Sequence, residues 1–161
     1  EKKEIEEAQS LLRRAFEMDR DNVDILIAMY RLEGDDEWKD SVLKILRRQI
    51  VEIESNIRIK EAQARQIGPM QIFGGQVADL YNQYAWLVAN TEGDYQKALQ
   101  FSLKSIEMIP DNSALLFLYA RCDLADGDMG NEVSSQRRAI KLMPHSPPMV
   151  RQLKEFEAVQ K

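Results

Sequence analysis

The chain has 161 residues, enough for one domain with a real core or for a short array of repeats, and too few for two unrelated domains. Its net charge of -5 argues against a general nucleic-acid binder, whose affinity rests on clustered Lys and Arg displacing counterions from phosphates. The single cysteine, Cys122, excludes an intrachain disulfide and a cysteine-based zinc site, and no apolar run approaches the roughly 20 residues of a membrane-spanning helix.

Residues 1–20 read as a helix whose closing run, RRAFEMDRDN, returns twice later as LKSIEMIPDN and RRAIKLMPHS. It is therefore the second helix of a truncated repeat. Residues 22–66 form a degenerate unit: its turn, LEGDDEW, arrives about three residues early, and the unit carries about 22 residues more than the later ones. From Trp38 to Gln66 there is no Gly or Pro, which predicts one helix of roughly 43 Å at 1.5 Å per residue. Leu46, Ile50, Ile53 and Ile57 step by four, three and four along it, a seam for neighbouring helices or for a homodimer contact. Residues 67–76, IGPMQIFGGQ, hold three glycines and a proline and are expected to be an irregular loop. Its Met70, Ile72 and Phe73 either tuck back onto the array or form a second contact surface.

Two regular units follow, residues 77–110 and 111–144. Gly93-Asp94 and Gly127-Asp128 stand thirty-four residues apart, as do Pro110 and Pro144. In each unit a first helix carries apolar residues at three- and four-residue steps, Leu80, Tyr81, Tyr84 and Ala85 matching Leu115, Leu116, Tyr119 and Ala120. Gly then suits the C-terminal cap, Asp the next N-cap, and Pro stops the second helix. Residues 146–160 read as a capping helix with Ser146 at the N-cap, Pro147 at the first helical position, and a stripe of Met149, Val150, Leu153 and Phe156.

On Ala85, Gly93-Asp94-Tyr95, Ala98 and Pro110, and on Ala120, Gly127-Asp128, Ala139 and Pro144, the chain resembles the tetratricopeptide repeat family. Departures are Glu132 where a small residue such as Ala98 is wanted and Arg20 where a proline is wanted. The resemblance implies an all-α fold: a single right-handed superhelix of antiparallel helix hairpins, about seven or eight helices, with one unusually long helix and a C-terminal cap. It also implies a concave groove lined by the first helices. Aligning those helices puts Arg31, Trp86 and Arg121 at equivalent sites and Ile27, Asn82 and Phe117 one turn earlier. Asn82 and Asn90 are expected to hydrogen-bond a peptide backbone, Trp86 and Phe117 to give apolar contact, and Arg31 and Arg121 to give charge. Ala114 and Leu118 stand where a carboxylate-gripping basic pair would be wanted, which argues against that clamp.

The residues supply no reaction. His145 lies in a Pro-flanked turn without a second His, Cys122 falls on the apolar side of a helix, and no phosphate loop, dinucleotide fingerprint or serine elbow is present. The acidic runs at Glu4 to Glu7 and Glu33 to Glu37 suit helix starts, and the Arg13-Arg14, Arg47-Arg48 and Arg137-Arg138 doublets suit a solvated outer face. The expected function is a non-catalytic scaffold for a protein or peptide partner, without cofactor or metal, nucleic acid or membrane insertion. Homotypic assembly through the long helix and the 67–76 loop, or service as the helical appendage of an upstream enzyme, are the alternatives. Lacking an initiator Met, the chain reads as the C-terminal segment of a larger repeat protein.

Overall fold

The computed structural model describes the backbone of residues 2–32, 36–67, 74–110, 112–126 and 132–159, which form α-helices joined by short links, with no strand among them. The helices are α1 (Lys2–Met18), α2 (Val23–Arg31), α3 (Asp36–Ile67), α4 (Gly74–Asn90), α5 (Tyr95–Met108), α6 (Ser113–Asp126), α7 (Glu132–Leu142) and α8 (Pro147–Val159). The fold is all-α. By its contacts the chain divides into two compact units, Glu1–Glu52 and Ile53–Lys161.

In the first unit, α1 packs on α2, and the buried residues come from α2 (Leu26, Ile27, Met29) and the early part of α3 (Val42, Leu46). Asn22 starts α2 by accepting from the backbone N–H groups of Asp24 at 3.1 Å and Ile25 at 3.2 Å, two donors that the helix itself cannot satisfy. The link before it is tied to α3 through Gln49, whose Nε2 donates to the Asp21 carbonyl at 2.8 Å. The Arg48–Asp21 ion pair beside it is largely exposed and adds little.

The long helix begins two residues before Trp38 and ends one after Gln66, as a run of helix formers without Gly or Pro requires. Its seam is used inside the chain: Leu46 is buried in the first unit and Ile57 in the second, with Ile50 and Ile53 half-buried.

In the second unit, α4 and α5 pack closely across a four-residue link, which forces them antiparallel; α6 and α7 pair likewise, and α6 also lies beside α4 and α5. Small residues sit where these helices cross: Ala85, Ala98, Ala120 and Ala139 are all fully buried. Around them Tyr81 stacks on Phe101 at 4.8 Å and Tyr84 meets the same ring edge-on at 5.0 Å. The later part of α3 is pinned to this pair by two bonds, from Tyr81 Oη to Glu61 Oε1 at 2.5 Å and from Lys97 Nζ to Glu54 Oε1 at 2.6 Å.

The α4–α5 link explains its glycine. Gly93 has φ +149°, and a Cβ there would lie 3.2 Å from both methyls of Val88. Asp94 then caps α5, accepting from the Lys97 N–H at 2.9 Å. Asn112 does the same for α6, at 2.9 Å to Ala114 N.

Two boundaries differ from expectation. The loop does not extend through residue 76, because α4 starts at Gly74; both glycines lie in its first turn, where a Cβ on Gly75 would meet nothing and the weak helix propensity of glycine costs least. Residues 68–73, with Met70, Ile72 and Phe73, and the Gly127-Asp128 turn lie outside the described residues.

The closing helix α8 buries Met149 and Phe156, leaves Leu153 half-buried and Val150 at the surface, and packs on α7. Its link carries exposed His145, and Ser146 contributes its carbonyl to the Val150 N–H at 3.2 Å. A buried amide pair cross-ties it. Gln136 of α7 donates to the Met149 carbonyl at 2.5 Å, and Gln152 of α8 donates to Gln136 Oε1 at 3.1 Å and to the Phe117 carbonyl at 2.9 Å.

Candidate binding surface

The helices α4, α6 and α8 occupy the same place in the repeat, offset by thirty-five and then thirty-four residues. That register puts Asn82, Phe117 and Arg151 in one row and Trp86, Arg121 and Glu155 in a second, one turn further on. Residues four apart share a helix face, so both rows look the same way. Two contacts place α8 beside α6 on this side: the Gln152–Phe117 bond already described and the Arg121–Glu155 ion pair at 3.5 Å.

At the centre the rings of Trp86 and Phe117 lie 6.4 Å apart, tilted by 36°, and both are half-buried. Half-burial leaves each ring with surface to offer. Phe117 is backed by the Leu116, Ala139 and Met149 cluster, which holds it in place. Asn82 flanks the pair, and its Oδ1 is buried with no protein donor in reach.

Other expected groove residues are already engaged within the chain or lie in the other unit. Asn90 is only 7% exposed and spends its amide donating to the Trp86 carbonyl at 2.9 Å, so it finishes α4 rather than facing a peptide. The Arg121 side chain is 16% exposed and shares its charge with Glu155, which is 61% exposed, so it is a strut between α6 and α8 rather than an open cation. Arg31 is exposed at the end of α2, in the other unit.

Conversely, the sequence reading stopped the groove at α6 and passed over Arg151 and Glu155. The signal was available, since the thirty-four-residue offset from Phe117 and Arg121 falls on these two positions. Arg151 is exposed and makes no ion pair among the described residues, and the same holds for Asp79, seven residues before Trp86 on α4.

Two clefts beside α3 have most of their charges already paired. Two adjoining clefts of about 390 and 420 Å³ run between α3 and α5 and share Glu61 and Lys104. Their charges pair internally, Glu54 with Lys97 at 2.6 Å and Arg58 at 3.7 Å, and Glu61 with Arg65 at 3.5 Å. Cys122 is buried and its thiol is pushed up to about 12 by that burial, opposed in part by the Ser102 hydroxyl. This is the reverse of an activated nucleophile. The Arg13-Arg14, Arg47-Arg48 and Arg137-Arg138 doublets are all exposed.

Among the described residues no helix is long and apolar enough to cross a membrane. No protein-family model and no curated protein sequence matches the chain.

Proposed function

We propose that this chain is a tetratricopeptide-type repeat array acting as a non-catalytic scaffold, and that it binds a peptide or helix of a protein partner on the face shared by α4, α6 and α8. The observation that supports this reading above the others is the half-buried Trp86–Phe117 pair. A large ring at the middle of a helical face, firmly backed yet still accessible, has the character of a binding hot spot. The polar and charged residues around it match the rim of an interface.

The test uses peptides selected by display on the wild-type protein and titrated by fluorescence anisotropy. Trp86→Ala is expected to weaken them by about 2 kcal/mol or more while leaving the helical circular dichroism intact. Equal affinity for wild type and variant would remove the face from consideration.

A further inference from the structure

We infer that the partner segment is a short extended peptide with opposite charges at its two ends, a basic residue over α4 and an acidic residue over α8, around a bulky apolar side chain seated on Trp86 and Phe117. This rests on the binding-face reading above and says what the face selects.

The charge argument comes from what is already paired. Arg121 and Glu155 compensate each other between α6 and α8. Among the described residues of these two rows and the turn before them, Arg151 and Asp79 are the charges that remain. Arg151 lies four residues before Glu155, on the same side of α8, exposed and without an ion pair. Asp79 lies seven residues before Trp86, nearly two turns, which returns it to within about 20° of the same direction on α4; it too is exposed and unpaired. The unmatched charges are thus at opposite edges, with the aromatic pair between them.

Spacing then fixes the length. Packed helices lie about 8–10 Å apart, and α8 meets α6 through side chains, so α4 and α8 are separated by at least roughly 16–20 Å. An extended chain rises about 3.3 Å per residue, which puts the two charged residues at least about five positions apart. A helical partner would want a long apolar stripe, whereas this face offers one two-ring patch.

The experiment measures anisotropy of four fluorescein-labelled peptides that share a central Phe and differ at the two end positions: Lys and Glu, Lys and Lys, Glu and Glu, or Gln and Gln. On the wild-type protein the Lys/Glu peptide is expected to bind about tenfold tighter than the other three, with the preference fading at high salt. Arg151→Glu should transfer the preference to the Lys/Lys peptide, and Asp79→Lys should transfer it to the Glu/Glu peptide. Both sites are exposed, and the two variants report independently. Binding of all four peptides with equal affinity, unchanged by either reversal, would overturn the charge inference and leave the binding face standing. Tighter binding of a helix-spaced peptide of the same composition would overturn the extended conformation. If none of the four peptides binds and display yields no Trp86-dependent peptide, the face itself fails, and this inference with it.

Discussion

Cys122 lies on the buried side of α6 with its Sγ–H directed at the Ala85 carbonyl, 3.8 Å away across the contact with α4. Burial raises its pKa, because a thiolate there would lose its hydration. The sign of the pH effect follows. An unfolded thiol ionises near about 8.5, whereas the folded one holds its proton to about 12, so stability is constant below the first value and falls as pH climbs between them. The hydroxyls of Tyr81 and Tyr84 are also pushed up, chiefly by burial, and add a decline in the same direction above about pH 10. Urea midpoints measured at about pH 8 and about pH 9.5 should therefore drop for the wild type and barely change for Cys122→Ala. Equal drops in both would show that the thiol is not the source. At this scale the capping residue Asp94 and the turn glycine Gly93 were legible, because each acts on backbone within three residues of itself or sits at a turn the repeat had marked. Asn90 and Arg121 were not. Their faces follow from spacing, but what covers those faces comes from residues in other turns or on another helix.

The helix α8 is held by polar as well as apolar contacts. Gln152 donates to the Gln136 oxygen and the Phe117 carbonyl, and Gln136 donates to the Met149 carbonyl, in a place where water cannot easily substitute. Removing one amide leaves the other with an unmet group, and Gln152→Leu is expected to cost about 1–3 kcal/mol, with faster amide hydrogen exchange in α8. Replacing both by Leu should cost less than the single change predicts, since the orphaned acceptor on Gln136 disappears with it. Additive losses would mean that the two amides are not coupled. The extent of α8 could be read from Ser146-Pro147 and its stripe. Its amide tie could not, because a glutamine at a core position carries no label in a pattern of apolar residues. The start of α4 was misjudged for a related reason: glycine disfavours a helix interior but is tolerated in the first turn, and the apolar pattern does not say which applies.

The two units each have their own core, and they differ in how much they bury. Ile53–Lys161 collects the aromatic cluster, the four crossing alanines and the amide tie, whereas Glu1–Glu52 buries mainly Leu26, Ile27, Met29, Val42 and Leu46. A chain of about 50 residues is marginal on its own, while one of about 110 is not. Residues 53–161 alone should therefore keep a cooperative thermal transition by circular dichroism, and residues 1–52 alone should melt broadly or lack helix. A non-cooperative melt of the longer fragment would contradict this division. The sequence by itself determined the all-α class, the long helix and the thirty-four-residue register, because these depend on periodicity and backbone chemistry within a turn or two of each residue. Only the tertiary structure decided which charges on the side shared by α4, α6 and α8 are spent and which remain. Arg121 and Glu155 neutralise each other across two helices, Asp79 and Arg151 do not, and pairing of that kind depends on distances between segments that a linear pattern does not encode.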